Sequence, residues 1–166
     1  MMADALWAPW RNAYVSGTCS DDGCLFCRIG SSDEDAGNLV LCRWGSAFAV
    51  LNRFPYINGH LMVVPVRHLA LFSDLSAAEA ADVLHVVGLA EKALQSGMGC
   101  VGMNGGWNVG RCAGAGIEGH LHLHMLPRWP GDVNFMTTAA ETRVISESLE
   151  STYARLLPWF APGAGN

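Results

Sequence analysis

His120-Leu121-His122-Leu123-His124-Met125-Leu126 alternates imidazole with aliphatic side chains through its first six positions. A β-strand sends successive side chains to opposite faces and spaces residues two apart by roughly 6–7 Å. Read as a strand, the stretch lines one face with three imidazoles and buries Leu121, Leu123 and Met125 behind the other. A helix would turn the same residues by about 100° per position and scatter both sets around its axis. The alternation therefore predicts a strand over 120–126 that carries chemistry on one side and core on the other.

The neighbouring segments supply the rest of a fold. Ala47–Asn52 and His60–Val66 are short apolar runs with a Pro- and Asn-Gly-containing turn between them, which predicts an antiparallel hairpin. Ser76-Ala-Ala-Glu79 is a capping-box pattern, and Ala80, Val83, Leu84, Val87, Glu91 and Leu94 then recur at helical spacing until Gly97 and Gly99. His85 lies opposite that stripe with Asp82 and Lys92, and reads as solvated. Cys100–Asn104 suits a further strand, the glycine-rich run from Gly105 to Gly119 a loop, and Ser146–Leu157 a second helix. Strand hairpins with a helix between them, rather than β-α alternation, favour an α+β fold with an antiparallel sheet. We read residues 1–166 as one domain: an irregular segment over 1–46, a core over 47–135, and a C-terminal helix and tail over 136–166.

Composition narrows the function classes. The chain has 166 residues, 51% of them hydrophobic and 15% charged, enough to fill a core. Its net charge of -5 argues against general nucleic-acid binding, which needs clustered Lys and Arg. No apolar run reaches the roughly 18 residues of a membrane span, and the first ten residues lack the basic start of a secretory signal. A cytoplasmic, membrane-free protein is expected. Of six cysteines only Cys24 and Cys27 form a C-x-x-C pair, a spacing that serves one metal or a redox couple.

Three histidines within five positions allow three readings. They form a half-buried face, a transition-metal site, or a nucleophilic centre whose outer imidazoles fix the middle one. The third reading gains from the glycine-rich loop just upstream. Backbone N–H groups around Gly114, Ala115, Gly116 and Ile117 could hold an anion there without fixed positive charge.

HLHLHML resembles the signature of the histidine-triad superfamily of nucleotide hydrolases and transferases. The likeness extends through Asn52-Arg53-Phe54-Pro55, Gly59–Pro65 and Arg67-His68, and through Asn108-Val109-Gly110 and Gly114-Ala115-Gly116. Pro127-Arg128-Trp129, Gly131–Phe135 and Leu6–Arg11 are similar to the branch of diadenosine tetraphosphate phosphorylases and related dinucleoside polyphosphate hydrolases. The resemblance implies an antiparallel sheet of about five strands with a main helix and a C-terminal helix.

It also implies roles for particular residues. His122 would be the nucleophile, attacking the α-phosphorus of an adenine nucleotide or dinucleoside polyphosphate and forming a nucleotidyl-histidine. His124 would contact phosphate or the bridging oxygen, His120 would orient the cluster or bind metal, and His60 would support the triad from the adjacent strand. Asn52 matches a ribose contact; Asn108, Ala115, Gly116, Ile117 and Trp129 match nucleotide- or phosphate-contacting positions. The acceptor is water or inorganic phosphate. Residues 113–117 lack the polar side chain some relatives carry there, which leaves anion binding to backbone N–H, His124, Arg111 or Arg128. Cys24, Cys27, His68 and His120 match a Cys₂His₂ zinc set, which would be structural. Relatives commonly pair as homodimers. Two other activities fit the same residues: adenosine phosphoramidate hydrolysis, and hydrolysis at a zinc held by all three triad histidines. A nucleotide-binding sensor is the non-enzymatic alternative.

Overall fold

A computed structural model describes residues 23–132 and 145–161. They form an α+β fold around a five-stranded antiparallel sheet in the order β1-β2-β3-β5-β4, with β1 Val40–Trp44, β2 Ala47–Leu51, β3 Leu61–Pro65, β4 Gly102–Gly106 and β5 Leu123–Arg128. The predicted hairpin is β2–β3, in register from Ala47 opposite Pro65 to Leu51 opposite Leu61. All ten of its residues are buried, because the sheet is covered on both faces and a doubly covered strand cannot alternate with polar residues.

One face packs on the long helix. Ala47, Ala49, Leu51, Leu61, Val63 and Met125 meet Val83, Val86, Ala90, Ala93 and Leu94 of α3 (Ala77–Met98). Each large aliphatic so buried contributes about 1.5–3 kcal/mol of transfer free energy. The capping box is formed at Ser76 and Glu79, and Gly99 ends the helix in the left-handed region at φ 63°. The buried stripe differs from the predicted one: Leu84 and Glu91 face outward, and the small Ala90 and Ala93 lie where the helix approaches the sheet. His85 is exposed as expected, stacked on Trp44 at 4.2 Å.

The opposite face carries the site. Val40, Phe48, Val50, Met62 and Val64 pack there against Phe26 and Ile29 of α1 (Leu25–Ser31). The segment expected to be irregular up to residue 46 thus includes α1, the single turn α2 (Asp35–Asn38) and the edge strand β1. A register shift between Val40 and Cys42 broke the alternation that would have revealed β1. The C-terminal helix begins later than predicted, as α4 (Leu149–Leu156) capped by Ser148, and runs into a 3₁₀ turn over Leu157–Phe160. Residues 1–22, 133–144 and 162–166, including Leu6–Arg11 and Val133–Phe135 of the resemblance, lie outside the described residues.

The histidine-rich strand also begins later than its pattern predicted. Its ladder with β3 stops at Val63 opposite Leu123. Beyond it stands Pro65, which has no N–H to give. Residues 120–122 are instead held by other bonds: Leu121 N–H donates to the Leu69 carbonyl at 2.6 Å, and His120 Nε2 donates to the Pro65 carbonyl at 2.8 Å. The facing survives the loss of the ladder, with Met125 and Leu123 on the α3 side and His120 and His122 against Phe26 of α1.

Candidate active site

His120, His122 and His60 are buried and His124 half-buried. Their hydrogen bonds fix which nitrogen of each ring carries the proton. His122 Nδ1 lies 2.8 Å from the His120 carbonyl, which can only accept, so Nδ1 is the N–H and Nε2 keeps its lone pair. Tyr56 N–H donates to His60 Nδ1 at 3.1 Å, so His60 Nε2 must bear hydrogen and donate to His124 Nδ1 at 2.9 Å. His124 is left with an Nε2–H. The result is a free lone pair on one ring beside a donor on the next, their centroids 5.0 Å apart.

Burial keeps these rings neutral. It pushes His60 down to about 3, helped by His124 and His122, and His124 down to about 4, helped by His122. His122 is lowered by burial against the opposing bond to the His120 carbonyl. A neutral imidazole is the nucleophilic form, so burial extends that form toward lower pH.

His122 and His124 line a cavity of about 320 Å³. Its walls include Phe26, Ile29, Val50 and Met62, an apolar slot sized for one nucleoside, with Asn52 beside them. Asn52 Oδ1 accepts the Phe54 N–H at 2.9 Å, and its Nδ2 lies 3.3 Å from His60 Nδ1. Gly114, Gly116 and Ile117 close the reacting end. Gly114 and Ala115 spend their N–H groups within the loop, on the Arg111 and Gly110 carbonyls, which leaves the Gly116 and Ile117 amides for an anion.

Several expected residues lie elsewhere. Trp129 does not line this cavity: its Nε1 donates to the Met98 carbonyl at 3.2 Å, and it borders a wider hollow of about 570 Å³ with Asn58, Asp132 and Arg155. Asn108 is half-buried but lies outside the cavity wall as well. Arg111 is paired with Glu118 at 2.8 Å and Arg128 with Asp132 at 2.5 Å, so neither is a ready phosphate ligand. The cations on the cavity wall are Arg28 and Arg53, which sequence reasoning passed over. Arg28, directly after the C-x-x-C pair, and Arg53, directly after Asn52, were legible only as neighbours of marked residues.

His120 turns away from its companions. With Nε2 given to the Pro65 carbonyl, its Nδ1 lone pair faces Cys24 Sγ at 3.3 Å and Cys27 Sγ at 3.6 Å, while His68 Nδ1 lies 3.3 Å from Cys27 Sγ. The four ligand atoms all fall within 4.8 Å of one another. A zinc tetrahedron with Zn–S near 2.3 Å and Zn–N near 2.0–2.1 Å places such atoms roughly 3.5 Å apart, so the set fits that ion. The three triad histidines do not converge on a common point, because both nitrogens of His120 are directed elsewhere. That geometry removes the hydrolase built on three triad ligands.

Several known proteins are similar to this chain. The HIT domain model matches residues 35–131. The AP-4-A phosphorylase of Mycobacterium tuberculosis (strain ATCC 25618 / H37Rv) is 34% identical over 155 residues, covering 89% of this chain and 79% of that one. The asymmetrical bis(5'-nucleosyl)-tetraphosphatase of Schizosaccharomyces pombe is 25% identical over 127 residues, 76% of this chain and 66% of its own. Among solved structures, a Zn-bound histidine triad family protein from Mycobacterium smegmatis superposes with a TM-score of 0.67 at 26% identity, covering 83% of this chain and 93% of that one.

Proposed function

We propose that this chain, which belongs to the HIT domain family, is a nucleotidyl hydrolase or transferase that cleaves dinucleoside polyphosphates, diadenosine tetraphosphate among them, at the α-phosphate. The observation that carries the reading is the bond from His122 Nδ1–H to the His120 carbonyl, which leaves Nε2 as an unprotonated nitrogen facing the cavity. In the first step that lone pair forms a bond to the α-phosphorus. The bridging P–O bond breaks, and the departing polyphosphate takes the electron pair as an anion. His124 Nε2–H donates a hydrogen bond to the departing oxygen or to the phosphoryl group. His60 acts through His124 as a positioning residue, by fixing its tautomer. In the second step water, which releases a proton to the medium, or inorganic phosphate bonds to phosphorus, the N–P bond breaks, and its electron pair returns to Nε2.

The Gly116 and Ile117 amides would meet the charge that accumulates on the phosphoryl oxygens. Asn52 would meet ribose. Ala115 shapes the loop rather than donating to the ligand, since its own N–H is used. Cys24, Cys27, His68 and His120 would hold a structural zinc ion, which ties α1 to the sheet and closes its own coordination sphere. Because His120 also offers its carbonyl to His122, the metal cluster and the nucleophile share one residue. Pairing of two copies is supported by the outer edge of β4, which meets no further strand among the described residues and where Val101 and Trp107 are exposed beside a hollow that Val87 and Met103 line.

Brief incubation with adenine-labelled diadenosine tetraphosphate, quenched in alkali, tests the reading. Label is expected on His122, and label-free protein during active turnover would overturn it. Product analysis assigns the acceptor: ADP plus ATP in the presence of phosphate marks phosphorolysis, AMP plus ATP marks hydrolysis.

A further inference from the structure

The described arginines divide sharply by partner. Arg43, Arg67, Arg111, Arg128 and Arg155 each contact a carboxylate within 2.8 Å. Arg28 and Arg53 have no carboxylate partner among the described residues, although acidic residues outnumber basic ones in this chain. Both line the cavity of His122 and His124. Arg53 donates one N–H to the Gly37 carbonyl at 2.5 Å and keeps the rest of its fork, whereas among the described residues no hydrogen bond engages the Arg28 guanidinium.

Their place in the cavity says what they meet. His124 on β5 is opposite Met62 on β3, and Met62 is opposite Val50 on β2, so the slot runs across the sheet. Two strand spacings, roughly 10 Å, separate β5 from β2. Arg53 follows β2 and reaches Gly37 in α2, beyond Val50 and toward the β1 edge. Arg28 lies on α1, and Asn38 at the end of α2 completes that rim. With phosphorus at His122 the nucleoside extends along the apolar slot, and its base arrives at this far rim. The departing polyphosphate leaves from the opposite, reacting end.

We propose that Arg28 and Arg53, with Asn38, read the edge of the base in the half of the substrate that is transferred to His122, and that they favour guanine over adenine. Guanidinium groups only donate. Guanine offers two adjacent acceptors, O6 and N7, whereas adenine places its N6 donor next to N7 and opposes the fork. Asn38 spends its Nδ2 on Ser32 Oγ at 3.1 Å, which leaves Oδ1 to accept from the guanine N1–H or N2–H₂. Diadenosine tetraphosphate fills the same slot with fewer of these bonds. The inference rests on the nucleotidyl-histidine reading and deepens it.

The mixed substrate adenosine-guanosine tetraphosphate tests it by internal competition. Each molecule presents both bases at one concentration, and the alkali-quenched His122 peptide carries either GMP or AMP, which differ in mass. The wild-type protein is expected to show roughly tenfold more GMP adduct, and Arg28→Met with Arg53→Met to bring the ratio toward one. The ratio does not depend on how much of a variant is folded. A wild-type ratio near one, an excess of AMP adduct, or a ratio unmoved by the substitutions would overturn the base assignment while leaving His122 as nucleophile. Absence of either adduct from the wild-type protein would remove the catalytic reading, and the inference with it.

Discussion

His120 and His124 stand four residues apart on one segment and both lose basicity to burial, yet their nitrogens keep different company. His120 gives its N–H to the Pro65 carbonyl and aims a lone pair at two sulfurs. His124 receives a hydrogen bond from His60 and aims an N–H into the cavity. Between them His122 is held by the His120 backbone and keeps a free lone pair. One repeating pattern thus feeds a ligand set at one end and a reacting group at the other. The difference teaches that the function of a histidine is set by which of its nitrogens its neighbours occupy.

Removing the middle ring should separate chemistry from architecture most strongly. His122→Ala is expected to lower turnover by roughly 10⁴-fold or more, as loss of a covalent nucleophile does elsewhere, with no alkali-stable adduct and a retained circular dichroism spectrum. Residual turnover within tenfold of wild type would mean that another group attacks phosphorus.

At the ligand end the balance should reverse. Cys24→Ser with Cys27→Ser, or chelation of the wild-type protein, is expected to abolish bound zinc measured by atomic emission. Tm should fall by roughly 10 °C, equivalent to a loss of about 4 kcal/mol in a domain of this size. Part of the turnover should survive at low temperature, in contrast to His122→Ala. Complete loss of turnover in protein that is still folded would join the two ends into one catalytic unit.

At the other end His60→Phe keeps bulk but removes the donor that sets the His124 tautomer. A fall of roughly 10–100-fold in kcat, with little change in KM, is expected. The acid limb of the pH profile should also move, because the His60 Nε2–H that occupies His124 Nδ1 favours the neutral ring. An unchanged profile would confine His60 to packing.

Titration offers a subtler separation. His60 and His124 have folded pKa values of about 3 and about 4, below the 6.5 of an unfolded chain. Below pH 6.5 the unfolded state therefore binds protons that the folded state refuses. Stability should be full above pH 6.5 and decline as pH falls toward 4, and this slope should flatten in His60→Phe. Equilibrium urea unfolding between pH 4 and 7 measures it. Far from either end, Ser76→Ala removes one half of the capping box and should cost about 1 kcal/mol, with the GMP-to-AMP adduct ratio unaltered.

Much of this was legible in the chain. The period-two alternation placed Leu123 and Met125 in the core and the imidazoles on the other face, and Ser76 with Glu79 marked the start of α3 to the residue. The ligand set Cys24, Cys27, His68 and His120 came from resemblance, and the fold brings those four side chains together. Other features were not legible. The bulge in β1 erased its period, and the proline in β3 ended the ladder that would have reached His120. Trp129 shares its neighbourhood in sequence with the triad, yet it packs with the α3-side cluster and donates to the Met98 carbonyl.

Residue order by itself determined which side chains share a face and where helices start, because backbone period and capping act over a few neighbours. It set three imidazoles in a row and kept the chemistry within one short segment. The tertiary structure alone set which nitrogens of His120 and His124 are free, since the Pro65 carbonyl, the His60 ring and the two cysteines reach them from distant parts of the chain. It also decided that, among the described residues, Arg28 and Arg53 meet no carboxylate at the cavity while five other arginines do. An ion pair depends on which charges the fold brings within a few ångströms, and that distance is not written in sequence separation.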